Sequence, residues 1–276
     1  MAQASRVWFI TGSSSGFGRA LAELALSRGE RVVATARNPE SLENLVGAHR
    51  ERICALALDV TQPKQVRAAL EQAQRRFGRI DVLVNNAGYG LQGAVEDVAD
   101  AQIRALFETN FFGALDVTRA AIPLLRAQHS GHIINVSSVG GRLSMPLVGL
   151  YSASKFALEG FSLALAQELR PLGIKVTLIE PGAFATRFGS PASLVSVPTS
   201  APYAPLGEAI AAALASFKWG EPRGVAEGIM QVCDAKEPPL QLVLSEQAMQ
   251  MVRQTLNDQL AEIARWEAVS IKASPA

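Results

Sequence analysis

Short apolar runs alternate with amphipathic stretches along nearly the whole chain. Runs at 7–10, 31–35, 54–58, 82–85, 132–137, 175–179 and 240–244 are rich in Val, Ile, Leu and Ala and carry few polar interruptions. Continuous apolar runs of this length suit parallel strands covered by helices on both faces, rather than strands with one wet side. The stretches between them repeat their apolar positions at three and four residues, so the chain reads as strand and helix in alternation. That order predicts βαβ units and an α/β fold: a single doubly wound, parallel, seven-stranded sheet of Rossmann-like type with helices on both faces.

Three segments depart from the alternation. Residues 102–128 form one long helical pattern interrupted by polar Asn110 between Thr109 and Phe111, and asparagine is a mediocre helix former. Residues 189–205 are dominated by Ser, Pro, Ala and Thr with no helical period, and read as a mobile cover over a site. After the last strand, Met249, Val252, Leu256, Leu260 and Ile263 recur three or four apart, with Trp266 near the end. This is a C-terminal amphipathic helix whose apolar stripe must be covered. The chain is therefore expected to be one domain over 1–276, with a substrate-loop region at 183–220 and a helical extension at 245–276.

Composition narrows the function classes. The 276 residues are 49% hydrophobic, enough for a large core, and 26 Lys plus Arg against 25 Asp plus Glu give a net charge of +1. Nothing in that balance favours a polyanion, so no nucleic-acid partner is expected. Cys54 and Cys233 stand far apart without metal or redox spacing and read as buried free thiols. His49, His129 and His132 share no ligand spacing and read as surface or strand-edge residues, so no metal site is expected. No apolar run is long enough for a membrane span and the first strand begins almost at once, which points to a cytoplasmic protein.

Chemistry concentrates at the carboxyl ends of the expected strands. The first strand runs into Gly12, Ser13, Ser14, Ser15, Gly16, Phe17 and Gly18, followed by a good helix. Glycines there permit a tight turn and close approach of a pyrophosphate, and free N–H groups at the helix start attract the anion. Arg37 follows the second strand, about 20 residues on, where a carboxylate grips the ribose of NAD and an arginine accepts a 2′-phosphate. No acid occupies that position, which favours NADP(H) over NAD(H). Ser138 ends the fifth strand, and Tyr151 and Lys155 lie four apart on the next helix, hence on one face. A close ammonium is expected to lower a phenol from its ordinary ~10 toward working pH.

Taken together, Thr11 to Gly18, Asn85-Asn-Ala-Gly88, Asn110, Ser138, Tyr151 with Lys155, and Pro181-Gly182 resemble the short-chain dehydrogenase/reductase family, in register over well more than half the chain. The wording around Gly12 and Arg37 is similar to the steroid and retinol dehydrogenase-like or ketoreductase branch. The resemblance implies that Asp59 and Val60 contact adenine and that Asn86, Ala87 and Gly88 lie along the cofactor. It also implies that Pro181, Gly182, Phe184 and Thr186 face the nicotinamide. Ser138, Tyr151, Lys155 and Asn110 become the catalytic set, with Lys155 also holding the ribose and Asn110 a water that links Lys155 to solvent.

The expected activity is an NADP(H)-dependent oxidoreductase interconverting a ketone or aldehyde and an alcohol, with Tyr151 as general acid and base. A non-redox enzyme on the same fold, of epimerase or dehydratase type, and a cofactor-binding regulator are the alternatives. Leu143, Met145, Val148, Phe184 and Phe188 flank the inferred site and tilt the substrate toward apolar. Phe107, Phe111, Phe156, Leu163 and Leu165 exceed what one helix face needs against a sheet, so a homodimer or homotetramer is expected.

Overall fold

The computed structural model describes residues 5–185, 193–215 and 219–273. Its main sheet holds β1 (Val7–Ile10), β2 (Arg31–Ala36), β3 (Ile53–Ala57), β4 (Val82–Asn85), β6 (Gly131–Val136), β7 (Ile174–Pro181) and β9 (Gln241–Leu244), ordered β3-β2-β1-β4-β6-β7-β9. Every pairing is parallel. Each of the seven anticipated strands is present, with ends shifted by a residue or two. The order reverses between β1 and β4, and the crevice at a reversal is where such sheets take their ligands.

Alternate side chains of each strand serve opposite layers. Trp8 and Ile10 pack with α1 (Gly16–Ser27), α2 (Glu43–His49) and α8 (Pro222–Asp234). Val7 and Phe9 pack with α3 (Pro63–Phe77), α5 (Ala114–Ala127) and α6 (Gly149–Leu169). Both faces are dry, which is why the strands lack polar alternation.

The stretch at 102–128 is not one helix. It comprises α4 (Asp100–Phe107), a π-helical turn (Glu108–Gly113) and α5. The widened turn carries Asn110 inward, 1% exposed, and lets Gly113 pass Val60, where a Cβ would stand 2.6 Å from a Val60 methyl. π turns are uncommon and tend to mark functional sites.

The stretch 189–205, expected as a cover without helical period, holds short elements in its described part. β8 (Leu194–Ser196) pairs in parallel with β5 (Gly90–Gln92), and a 3₁₀ turn at Ala201–Tyr203 leads into α7 (Ala204–Ala215). Neither strand was anticipated, because three residues are too few for a period. Residues 186–192 lie outside the described part, and the mobility expected of 189–205 is not tested.

The last element, α9 (Glu246–Lys272), is the anticipated helix, but its stripe is covered only at its root. Ala248 and Val252 pack against Val139, Leu143 and Val243. Farther on, Leu260 is 64% and Ile263 66% exposed. Of the apolar residues credited to an interface, Leu165 belongs to the core, whereas Phe156 and Leu163 on α6 are exposed. His132 is likewise no surface residue. It is buried inside the sheet, shares a 2.9 Å hydrogen bond with Thr177, and burial lowers its pKa to about 4. Cys54 and Cys233 are free and half-buried.

Polar groups inside the core form a ladder. Asn85 donates to Thr118 (2.9 Å) and to Asn135 (2.8 Å), and Asn135 donates to Ser162 (2.7 Å), tying β4, β6, α5 and α6 together. Asn135→Ala removes one of the two acceptors of the Asn85 amide and the donor to Ser162, and is expected to cost about 1–3 kcal/mol, read as a lower urea midpoint at unchanged slope. An unaltered midpoint would show that the ladder is dispensable.

Candidate active site

The glycine turn between β1 and α1 adopts backbone that only glycine accepts cheaply, with Gly12 at φ +70 and Gly16 at φ +58. At Gly18 a Cβ would stand 2.5 Å from both the Asn86 amide nitrogen and the Gly12 carbonyl oxygen. The N-cap of α1, Ser15, makes no side-chain capping bond, and no acidic residue occupies the first turn. The helix start therefore presents N–H groups to an anion beside a backbone with no side chain in the way. These features fit a dinucleotide pyrophosphate.

Several residues expected along the cofactor are also engaged in building the site. The Asn86 side chain donates to the Thr11 and Gly12 carbonyls (2.9 and 3.0 Å), while the Asn86 and Ala87 N–H groups donate to Thr11 Oγ1. Asn86 thus holds the glycine turn closed. Asp59 accepts from the Thr61 N–H (3.0 Å) and hydroxyl (2.8 Å), so its visible work is to fold the turn ahead of α3. Arg37 is exposed just beyond β2, and Arg19 reaches the Ser41 carbonyl at 3.3 Å, a second cation beside the same loop.

On the other side of the crevice, Ser138 follows β6 and opens a 3₁₀ turn, Val139–Gly141, its Oγ accepting the Gly140 N–H at 3.0 Å. Ser138 and the Tyr151 ring meet beside Gly140, where a Cβ would stand 3.4 Å from Ser138 Oγ and from Tyr151 Cε1, and Lys155 one turn along α6 lies with its Nζ 5.9 Å from the Tyr151 ring centre. The ammonium donates to the Val136 carbonyl at 2.9 Å and is 6% exposed. The three residues picked out by spacing are thus brought together.

Their electrostatics differ from expectation. Burial pushes the Tyr151 phenol up to about 12, only partly opposed by the neighbouring Ser138 hydroxyl, and brings Lys155 down to about 8. The lysine does not hold the phenol near neutrality. Its charge is turned toward a β6 carbonyl, and desolvation of the phenolate prevails.

Asn110 closes the back of the site. Its carbonyl oxygen accepts the Tyr89 N–H (3.0 Å), and its amide donates to the Tyr89 carbonyl (2.9 Å) and to Ser154 Oγ (3.1 Å). Ser154 in turn donates to the Tyr151 carbonyl at 2.7 Å. Gly88 lies between Asn110 and Lys155, where a Cβ would be 3.0 Å from Asn110 Oδ1 and 3.7 Å from Lys155 Nζ.

At the end of β7, Gly182 packs under the root of α9. A Cβ there would come within 2.7 Å of Ser245 Oγ, and Ser245 itself sits at the unusual φ of +101. Phe184 stacks edge-on against Phe17 of the glycine turn, with ring centres 5.6 Å apart, bridging the two halves of the crevice. Of the suspected pocket residues, Leu143 turns to the α9 root, Met145 is exposed and Val148 is half-buried. Thr186 and Phe188 lie outside the described residues. Sequence reasoning gave Ser154 no role, and it placed Thr11 in the glycine-turn motif without foreseeing that its hydroxyl accepts the Asn86 and Ala87 N–H groups.

Among the described residues no group of three or more His, Cys, Asp or Glu side chains gathers as a metal site, and no helix is long and apolar enough to cross a membrane. Residues 6–194 match the short chain dehydrogenase family model. The chain is 42% identical over 275 residues to oxidoreductase BOA17 of Botryotinia fuckeliana, spanning 98% of this chain and all of that one. Its structure superposes on a short-chain dehydrogenase from Streptomyces avermitilis with TM-score 0.92 at 39% identity, covering 99% and 100% of the two chains. Two Burkholderia structures at 26% identity carry cofactors: one from B. phymatum with NAD (TM-score 0.78, 99% and 96% covered) and one from B. cenocepacia with NADP (TM-score 0.76, 98% of each). With the fold, the glycine turn and the Ser138, Tyr151 and Lys155 cluster in place, the chain belongs to the short-chain dehydrogenase/reductase family and is an oxidoreductase of that family.

Proposed function

We propose that this oxidoreductase interconverts a ketone or aldehyde and an alcohol, using NADP(H) in preference to NAD(H). The observation that carries the reading is the gathering of the Ser138 hydroxyl, the Tyr151 phenol and the buried Lys155 ammonium at the sheet's carboxyl edge. A bound dihydronicotinamide supplies the hydride to the substrate carbonyl carbon. Ser138 donates a hydrogen bond to the carbonyl oxygen and holds it against Tyr151. The phenol, pushed to about 12, is fully protonated at neutral pH and therefore stands ready as the acid that completes the alcohol. Lys155 stabilises the phenolate left behind and would grip the ribose. Asn110 keeps α6 and the Gly88 segment in register and would hold the water that returns a proton.

Arg37 would take the 2′-phosphate, with no carboxylate at the end of β2 to compete, while Arg19 beside the same loop is already paired with Glu23 at 2.6 Å. The substrate is apolar, in keeping with the steroid or retinol dehydrogenase-like branch, and meets Met145, Val148 and the α9 side of the site. We assign the chain one domain over 1–276, a cytoplasmic location and a homodimeric or homotetrameric state. The exposed Phe156, Leu163 and Phe112, together with the bare end of α9, support the assembly.

Consumption of NADPH with a panel of apolar ketones and aldehydes tests the activity. In Tyr151→Phe, NADPH binding by fluorescence titration is expected to persist while turnover falls about 10²–10⁴-fold. Near-wild-type turnover would remove Tyr151 from the mechanism. Arg37→Asp is expected to weaken NADPH by at least about tenfold, as losing one charge-assisted contact implies, while NADH affinity holds or improves. Equal loss for both cofactors would refute the phosphate assignment.

A further inference from the structure

Beneath Ser138 and Lys155 lies a charged cluster that the mechanism above does not use. Glu180 on β7 is wholly buried, and both its oxygens stand 3.1 Å from Arg142 Nη1, just past the 3₁₀ turn that begins at Ser138. Glu159 on α6, 4% exposed, lies one turn beyond Lys155 and accepts a 2.9 Å bond from Gln241 of β9. Ser137, immediately before Ser138, faces the same carboxylate. The packing is close: at Gly141 a Cβ would stand 2.7 Å from Ser137 Oγ and 3.1 Å from Glu159 Oε1.

Two buried carboxylates cost far more than an apolar filling unless each finds a cation. Arg142 serves Glu180. Glu159 feels Arg142 as well, and the buried cation on its own helix is Lys155, one turn back, for which it is the carboxylate that favours the charged form. The other groups facing Lys155 are neutral: the Tyr151 phenol on α6, the Val136 carbonyl of β6 and Asn110 of the π turn. Burial, reinforced by repulsion from Glu159, brings Glu180 up to about 7; burial raises Glu159 too, opposed there by Ser137, Gln241, Arg142 and Lys155.

We propose that Glu159, oriented by Gln241, is a positioning residue of this site that keeps the Lys155 ammonium charged in its buried place. The inference rests on the reaction assigned above for its catalytic consequence, but not for its physical content. Lysine labelled with ¹³C, with the Lys155 signal identified by its loss in Lys155→Met, reports that ionisation directly and without turnover. The wild-type midpoint is expected near 8. In Glu159→Gln it should fall by about one pH unit, a tenfold loss of proton affinity, and in Glu159→Asp by less. The alkaline limb of carbonyl reduction should move with it, since activity requiring charged Lys155 is lost as pH rises through that midpoint. A role in packing alone would lower turnover at every pH and leave the midpoint in place. If Glu159→Gln does not fold, the Asp variant decides. A Lys155 midpoint that superimposes on the wild type in the folded variant overturns the inference, whereas a shifted midpoint in a chain that reduces no carbonyl overturns only the reaction.

Discussion

A cation held inside a protein has to be answered by groups of opposite polarity, and the Lys155 ammonium, 6% exposed, imposes that demand on the elements around it. β6 answers with the Val136 carbonyl at 2.9 Å. Helix α6 answers with Glu159 one turn on, and the π turn brings Asn110 close across Gly88. A methyl at position 88 would crowd the Asn110 amide oxygen at 3.0 Å while only touching the ammonium at 3.7 Å, so the small residue there is a packing requirement toward Asn110.

From that constraint the catalytic geometry follows in short steps. Val136 and Ser138 lie two residues apart at the end of β6, so the strand that receives the lysine also delivers the hydroxyl. Tyr151 lies one helical turn before Lys155, so the helix that carries the lysine also delivers the phenol. Asn110 and Ser154 fix the start of that helix to the segment after β4, and the Asn85, Asn135 and Ser162 ladder fixes its middle to the sheet. Polar groups that would be liabilities in an ordinary core here hold three elements in one register.

The doubly wound sheet was legible because buried parallel strands leave continuous apolar runs, and the site was legible because its motifs fall at strand ends. Asn110 announced itself as a polar residue within a helical pattern, although the π turn that carries it inward has no one-dimensional signature. The pair β5 and β8 was too short to show a period. His132 sits in an apolar run but is satisfied by Thr177, a partner 45 residues away that only the β6 and β7 register brings near. The phenol's titration was misjudged because spacing reports proximity to a cation but not the cost of desolvation. The exposed end of α9 shows the converse limit: an apolar stripe predicts that something covers it, not that its own domain does.

If Tyr151 and Ser138 serve a hydride transfer to a carbonyl carbon, as proposed, the label can be followed by turning over an apolar ketone with NADPH carrying deuterium at the transferable position and analysing the product by mass spectrometry. One deuterium bonded to the carbinol carbon, from one face of the nicotinamide only, is the predicted result. Unlabelled alcohol, or consumption of substrate with the deuterium retained on the cofactor, would contradict it.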